Sequence, residues 1–296
     1  PYCTLSPDVR GIFGVETEFS LDSESTRAGV VIGADDRRIS GENYFRFDLD
    51  VSEIPAKLAI YRVGIAKEDR ADVPLAVVDV VDFDSTDHKP VITEENRYEP
   101  HKLYLEVTGN CVYTYVDNIR VDAEHRTLPW GAKIVAPRQI NPLGNNDVNT
   151  YPRLNHVGFY MPAGQKAYFS YLKVNNLRKP GACVFAEDAE HGIDTGCTGK
   201  TGSIFADALN RGTLCVEVYK GKKVYGIKAE EQDLMVCGDP GHTSIPMLRT
   251  CFNVSDKPVK AARLYVTARG IYDCQVNGQE VTKTWFNPGE TQYDRH

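Results

Sequence analysis

The stretch HKLYLEVTGNCVYTYVDN, residues 101–118, decides the fold class of this chain. Apolar and polar residues alternate on both sides of Thr108-Gly109-Asn110, three residues that suit a tight turn. Alternation gives each strand one buried face and one wet face, and a short turn between two such strands forms an antiparallel hairpin. Asp117-Asn118 predicts a second turn directly after the hairpin. The stretch therefore predicts antiparallel β-structure.

The same period of two recurs along most of the chain. It covers residues 13–21, 43–51, 57–63, 76–81, 157–161, 166–174 and 213–219. Helical candidates are few, and the best of them is the short segment 205–209. Many short strands separated by turn residues are typical of an all-β fold, either an antiparallel sandwich or a jelly roll.

The composition sets limits on size and partners. The chain has 296 residues, with 34 Lys+Arg against 41 Asp+Glu and a formal net charge of −7. A length of this order suggests two domains. The acidic balance argues against nucleic acid or an anionic membrane as the main partner, because both require a basic footprint. No apolar run reaches the roughly 20 residues of a membrane-spanning helix, so the sequence predicts no such helix. It predicts neither a nucleic acid nor a membrane as partner.

The cysteines and histidines give no cofactor prediction. Eight cysteines and seven histidines are scattered, without a Cys-x-x-Cys motif or a pair at metal-ligand spacing, so neither a metal nor another cofactor is predicted. Several cysteines lie in apolar strand patterns, where they act more often as small buried hydrophobes. The alternative is an isolated disulfide between Cys183 and Cys197, which would close a short loop. The compartment is left open.

The segment 98–177 resembles the laminin-G/concanavalin-like sandwich family. The residues that carry the resemblance are HKLYLEV (101–107), YTYVD (113–117), VGF (157–159) and YFSYLKVNN (168–176). The resemblance extends over roughly residues 10–185 and implies a curved sandwich of two β-sheets.

The C-terminal part resembles bacterial α-L-rhamnosidases. The segment DPGHTSIPMLRTCF (239–252) is similar to a motif that opens a β-sandwich ahead of the catalytic region in that family. Residues 260–281 follow the family's strand–Gly–strand pattern and contain Asn277-Gly278, a strong hairpin signal. NPGETQY (287–293) is similar to the closing signature, except that Glu290 stands where the family usually has an aromatic residue.

This second resemblance implies a parent enzyme that removes terminal α-L-rhamnose from glycosides by an inverting mechanism. In such a mechanism one acidic residue protonates the leaving oxygen and a second activates water. The resemblance places both in an α/α-barrel beyond residue 296, so no catalytic residue is predicted here. The chain starts at Pro1 without a Met and ends directly after a pattern typical of the middle of a domain. We therefore interpret it as an N-terminal piece of a longer protein.

These patterns predict three regions. Residues 1–190 form a concanavalin/laminin-G-like jelly-roll sandwich, and residues 191–238 form a connecting segment with added strands. Residues 239–296 begin a second β-sandwich of the rhamnosidase N-terminal type, which this chain cuts short.

One polar face of the first predicted strand has the residue types of a glycosidase site. Glu16, Glu18, Ser20 and Asp22 alternate with apolar residues. Concanavalin-like glycosidases carry a nucleophile and a general acid on a strand in this manner. No aromatic residue accompanies these four in the sequence to line a sugar subsite. We therefore favour a solvated outer face over a catalytic pair.

A loop dense in amide and carboxylate oxygens supplies the predicted binding site. Such oxygens can hold the hydroxyls of a sugar, and a nearby aromatic ring can stack on a pyranose. The predicted carbohydrate-binding residues are Trp130, Asn145, Asn146, Asp147, Asn149, Tyr151 and Trp285. The loop 141–151 has two other interpretations: a Ca²⁺ site, or a cluster of turns whose side chains bond their own backbone, which we favour. For Trp130 and Trp285 the alternative, which we also favour, is a partly buried packing residue.

Together the sequence predicts an accessory, carbohydrate-binding region of an α-L-rhamnosidase-like glycoside hydrolase. Its predicted partners are a rhamnose-containing glycan and the downstream catalytic domain of the same chain. The alternatives are a stand-alone lectin-like module and a purely structural spacer.

Overall fold

A computed structural model gives the fold. It describes residues 12–34, 44–64, 70–85, 87–108, 111–127, 133–137, 155–178, 182–194, 202–240, 259, 261–265, 274–277 and 279–281. The chain divides into two compact units, residues 1–246 and 247–296, and each is described by itself.

The described residues of the first unit form nineteen strands and one short helix. The strands are β1 (Ile12–Leu21), β2 (Arg27–Ala34), β3 (Tyr44–Asp50), β4 (Lys57–Val63), β5 (Ala76–Asp79), β6 (Val81–Asp82), β7 (Lys89–Pro90), β8 (His101–Thr108), β9 (Cys111–Val116), β10 (Ile119–Arg120), β11 (Ala123–Thr127), β12 (Lys133–Pro137), β13 (His156–Met161), β14 (Lys166–Asn176), β15 (Ala182–Asp188), β16 (Gly192–Ile193), β17 (Leu214–Tyr219), β18 (Lys222–Lys228) and β19 (Leu234–Gly238). The helix is α1 (Ala206–Asn210).

Two antiparallel sheets contain most of these strands. The large sheet has the order β10-β9-β8-β1-β14-β15-β16, and β18 pairs with the first part of β14 and with β17. The small sheet has the order β19-β13-β2-β3-β4-β5. Two short pairs, β6–β7 and β11–β12, lie outside both sheets.

The core lies between the two sheets. Phe159 of the small sheet stacks on Phe169 of the large sheet, with ring centroids 4.0 Å apart. Phe205, just before α1, stacks on Phe159 at 5.1 Å, and Phe19 contacts Phe169 at 5.1 Å. All four rings are buried. Buried aromatic rings from both sheets are what holds a sandwich together, and the predicted all-β sandwich is confirmed.

The local predictions around the first hairpin agree with the structure. β8 and β9 pair from Leu103–Val116 to Thr108–Cys111. Asp117 and Asn118 have φ of +50° and +67°, so the predicted second turn uses two residue types that tolerate the left-handed region. The predicted helix is also present, displaced by one residue. The hairpin turn itself, Gly109-Asn110, lies outside the described residues.

The strands after residue 213 contribute to both sheets. β18 pairs with β14 through Tyr225 opposite Phe169, and β19 pairs with β13 through Val236 opposite Phe159. Tyr225 and Val236 are therefore next to the central phenylalanines, and both are buried in the core.

In the second unit the structure describes one hairpin, β20 (Gln275–Val276) paired with β21 (Gln279–Glu280). Asn277 has φ of +50°, as a two-residue turn of this type requires. The hairpin predicted at Asn277-Gly278 is therefore present.

Two further expectations concern cysteines and membranes. Cys183 forms a disulfide, and its partner lies outside the described residues. Cys237 is a thiol and only 6% exposed, in keeping with the small-hydrophobe interpretation. Within the part of the chain that the structure describes, no helix is both long and apolar enough to cross a membrane.

Candidate functional site

The outer face of the large sheet carries the polar side chains of β1. Phe13, Val15 and Phe19 of this strand are buried in the core, so Glu16 and Glu18 lie on the opposite face. The predicted outer face is therefore correct in its geometry. It is not, however, a simple solvated face.

Each carboxylate of β1 has a partner on a neighbouring strand or at its end. Tyr171 Oη donates to Glu16 Oε1 at 2.8 Å, and Lys102 Nζ lies 2.9 Å from Glu16 Oε2. Ser170 Oγ donates to Glu18 Oε1 at 3.2 Å. Just after β1, Asp22 Oδ2 accepts a hydrogen bond of 2.8 Å from the hydroxyl of Tyr168, a residue of β14. A catalytic acid and nucleophile need access to a glycosidic bond, whereas these carboxylates are already bound by side chains of the sheet.

The expectation that no aromatic residue accompanies these carboxylates was wrong. Tyr171 of β14 bonds Glu16 across 155 positions of sequence. Tyr104 of β8 is opposite Glu16 in the register. The aromatic residues come from strands that pair with β1 on both sides, so a search along β1 alone does not find them.

Tyr104, Tyr115, Tyr171, Glu16 and Glu106 form a contiguous patch that we call the tyrosine face. The rings of Tyr104 and Tyr115 have centroids 5.5 Å apart, and Tyr115 Oη donates to Glu106 Oε2 at 3.4 Å. All five residues are half-buried, so part of each tyrosine ring is open to solvent.

A glycine makes room for this arrangement. A Cβ atom on Gly14 of β1 would lie only 2.7 Å from Cε2 and Oη of Tyr104. The end of the Tyr104 ring therefore lies over the bare backbone of Gly14. A ring held in this way loses little conformational entropy when a ligand stacks on it.

The tyrosines remain neutral phenols over the physiological pH range. Burial, then the charge of Glu106, raises the pKa of Tyr104 to about 12. Burial followed by the hydrogen bond to Glu16 raises the pKa of Tyr171, and burial with Glu106 raises that of Tyr115. The face thus offers protonated hydroxyls, carboxylate acceptors and partly exposed rings.

Next to the tyrosine face, a charged group is fixed over a further ring. The Arg120 guanidinium carbon lies 4.4 Å from the ring centroid of Tyr113. Arg120 donates to both oxygens of Asp122, at 2.7 and 2.9 Å, which fixes the guanidinium as a bidentate pair. The polar surface therefore continues toward the β9–β10 edge of the sheet.

The predicted binding residues cannot be placed on this surface. Trp130, Asn145, Asn146, Asp147, Asn149, Tyr151 and Trp285 all lie outside the described residues. Among the residues that are described, no group of three or more His, Cys, Asp or Glu could hold a metal ion.

The chemistry of the tyrosine face is that of recognition. Half-exposed phenol rings offer an apolar surface for the C–H face of a sugar, and their hydroxyls and the nearby carboxylates offer hydrogen bonds. A signal was available in the sequence: tyrosines occupy alternate positions in residues 113–115 and recur at 104, 168 and 171. Only strand pairing shows that they share a face.

Comparison with known proteins gives one family and several structures. The α-L-rhamnosidase N-terminal domain model matches residues 257–296, and the resemblance predicted for the C-terminal part is thereby confirmed. No curated protein matches the chain.

Three solved structures are similar to the chain at low sequence identity. The carbohydrate-binding module CBM66 from Bacillus subtilis has 12% identity and a TM-score of 0.32, over 54% of this chain and 71% of that one. Chicken galectin 2 has 8% identity and a TM-score of 0.29, over 58% of this chain and 95% of that one. The Caenorhabditis elegans galectin LEC-6 has 8% identity and a TM-score of 0.27, over 54% of this chain and 84% of that one. The family match to residues 257–296 is thus the one finding here that links the sequence to α-L-rhamnosidases.

Proposed function

We propose that this chain is the non-catalytic, carbohydrate-binding N-terminal region of an α-L-rhamnosidase-like glycoside hydrolase. Its first unit binds a rhamnose-containing glycan on the tyrosine face, and its second unit begins the sandwich that adjoins the catalytic domain. The observation that carries the binding role is the tyrosine face itself. The match of residues 257–296 supports the link to rhamnosidases.

The ligand on this face is a neutral sugar. Glu16 is already paired with Lys102, and the phenols are neutral, so the face has no surplus of positive charge to attract an acidic sugar. A deoxy sugar such as rhamnose presents an apolar edge to a ring and hydroxyls to the carboxylates. Both requirements match the groups available on the tyrosine face.

Hydrolysis belongs to a downstream domain of the parent enzyme. In our proposal two acidic residues there cleave terminal α-L-rhamnosides with inversion, and the region described here presents the substrate to them. Trp130, Trp285 and the polar residues of the loop 141–151 keep their proposed role as additional sugar contacts.

Substitution of Tyr104 tests the binding role. Tyr104→Ala removes the ring that lies over Gly14, and we expect it to weaken binding of a rhamnose-containing glycan by about tenfold, as for a central aromatic anchor. Isothermal titration calorimetry with a ligand selected on a glycan array measures the change. Tyr265→Ala is the matched control, because Tyr265 is 85% exposed and belongs to the second unit. Equal affinities for both variants would contradict the proposal.

The absence of catalysis is tested separately. The purified chain is expected to release no aryl group from an aryl α-L-rhamnoside, since the proposed acid and base lie downstream. Turnover that persists in a Glu16→Gln, Glu18→Gln variant and in the parent chain alike would show that catalytic residues lie elsewhere in this region.

A further inference from the structure

A groove opens on the outer face of the large sheet, at the end opposite to the β9–β10 edge. Its volume is about 730 Å³, within the range of small-molecule sites. β14, β17, β18 and the segment 229–234 line it. The one lining residue of β14 is Lys166, so no lining residue belongs to the tyrosine face.

The floor of the groove is formed by paired residues of β17 and β18. Gly226 of β18 pairs with Cys215 of β17, and both line the groove. A Cβ atom on Gly226 would lie 1.7 Å from Glu217 Oε1, so the Glu217 side chain extends directly over this glycine. Thr213 adds a hydroxyl at one end of the floor. The floor therefore presents the Glu217 carboxylate, the Cys215 side chain and the Thr213 hydroxyl to a ligand.

Two charge pairs line the groove. Lys166 Nζ lies 3.3 Å from Glu217 Oε2, and Lys228 Nζ lies 2.8 Å from Glu230 Oε1. Each ammonium has three donors and each carboxylate several acceptor sites, so both pairs retain hydrogen-bonding capacity. Because the charges are paired and Glu231 adds one more negative charge, the groove favours a neutral polyhydroxyl ligand over an anion.

One wall is fixed before any ligand binds. The backbone N–H of Gly164 donates to the carbonyls of Ala229 and Glu230 at 3.0 and 2.8 Å. The backbone N–H of Ala163 donates to Asp233 Oδ1 at 2.9 Å. These bonds tie the segment 229–233 to the turn before β14. A wall that is already ordered costs little entropy on binding.

The groove and the tyrosine face belong to one surface. Lys166 Nζ lies 4.7 Å from the ring centroid of Tyr168, whose hydroxyl reaches Asp22 directly after β1. Asp22 is six positions from Glu16 of the tyrosine face, which is about 20 Å along an extended strand. A single sugar residue does not span this distance, whereas an oligosaccharide does.

We propose that the groove is a second sugar subsite, and that the ligand of this region is a neutral oligosaccharide bound across both the tyrosine face and the groove. The inference rests on the proposed function and adds to it the length and charge of the ligand.

Calorimetry with neutral α-L-rhamno-oligosaccharides of one to four residues tests the inference on the full chain. Affinity is expected to rise with length. Cys215→Trp fills the floor, and Lys228→Ala removes a donor at the side; each should weaken binding of the tetrasaccharide by about fivefold or more. Binding of the single sugar should change less than twofold.

The control is Lys222→Ala, because Lys222 is exposed on β18 but does not line the groove. Thermal unfolding verifies that each variant is folded. If single sugar and tetrasaccharide bind equally and the groove variants bind as the parent does, the second subsite is wrong while the proposed function stands. If no oligosaccharide binds at all, the proposed function is wrong and the subsite with it.

Discussion

Asp48 and Arg46 form a buried charge pair on the outer side of the small sheet. Asp48 is fully buried, and its Oδ2 lies 3.1 Å from Arg46 Nε at an angle unsuited to a hydrogen bond. The Arg46 guanidinium lies between the rings of Tyr61 and Tyr160, at 3.7 and 4.1 Å, and donates to the carbonyl of Ala71 at 3.1 Å. Two aromatic rings and a backbone carbonyl therefore stabilise the Arg46 guanidinium, whereas the Asp48 carboxylate is stabilised mainly by the positive charge of Arg46.

This imbalance makes stability depend on pH. Burial, only partly offset by Arg46 and Arg27, raises the pKa of Asp48 to about 6. The unfolded chain has an ordinary aspartate pKa near 4, so between about pH 4 and 6 the folded protein binds the proton more tightly. The free energy of unfolding contributed by Asp48 is thus highest at low pH and falls as the pH rises through 6.

Asp48→Asn is expected to remove that contribution. From pH 5 to 7.5 the parent chain should lose about 1.4 kcal/mol more stability than the variant, because one pKa unit of the shift, from 5 to 6, falls within this range. Urea denaturation at pH 5 and at pH 7.5 measures the change in the free energy of unfolding for the parent and for the variant. Asp72→Asn serves as the control, since Asp72 is exposed and paired with Arg70. Identical pH dependence in parent and Asp48→Asn would show that Asp48 is ionised at both pH values.

Among the secondary-structure elements, alternation of apolar and polar residue types predicted most of the long strands. β1, β4, β8 and β9 were predicted with bounds within one residue of those observed. β2 was not predicted. Its burial pattern shows that both of its faces are covered, so its residues are apolar or small without alternation. Periodicity detects a strand by its polar residues. β3 alternates through Arg46 and Asp48 although both are buried, whereas residues 28–34 of β2 are all apolar or glycine.

The candidate site was predictable only in part, for a related reason. The carboxylates of Glu16 and Glu18 are visible as an alternating pattern in β1. Their partners are fixed by the register of β1 with β14, where Glu18 faces Tyr171. Pairing over more than 150 residues is a property of the folded sheet. The pairing of Glu16 and Glu18 with residues of β14 therefore could not be predicted from the alternation within β1.

Two glycines in strands lead to opposite predictions, since they lie close to different kinds of atoms. A Cβ atom on Gly158 of β13 would lie 2.1 Å from the backbone oxygen of Val236 in β19. Gly158→Ala must therefore separate two paired strands, and we expect a loss of more than about 2 kcal/mol of stability. Gly14→Ala meets only the end of the Tyr104 side chain, which can rotate away. We expect it to lose less than about 1 kcal/mol but to weaken glycan binding.

Denaturation and calorimetry on both variants separate the two effects. Gly221→Ala is unsuitable as a control because Gly221 has φ of +80°, which strains any other residue. Gly202→Ala is suitable, because nothing lies within 4 Å of its Cβ position. If Gly14→Ala bound glycan as the parent does, the position of the Tyr104 ring over the glycine would not matter for recognition.

At the scale of the whole molecule, the two sheets depend on strands from distant parts of the sequence. β18 and β19 bring Tyr225, Ile227 and Val236 into the core beside Phe159 and Phe169. Glu187 of β15 accepts hydrogen bonds from Ser203 and Tyr225, which ties the end of the large sheet to the segment before α1. The domain boundary predicted at residue 190 would separate Glu187 from Ser203 and Tyr225. Truncation of the chain at this residue tests the boundary.

A chain that ends at residue 190 is expected not to fold, because it lacks Phe205, Tyr225, Ile227 and Val236, all buried in the core. Each buried side chain of this size contributes about 1.5–3 kcal/mol. Together they approach the total stability of a typical domain, about 5–15 kcal/mol. A chain of residues 1–246 keeps all four and serves as the matched control. Circular dichroism should show a cooperative thermal transition for the longer chain alone. If residues 1–190 unfolded cooperatively near the same temperature, the predicted bound would be correct, and the strands after residue 213 would be additions to a sandwich that is stable without them.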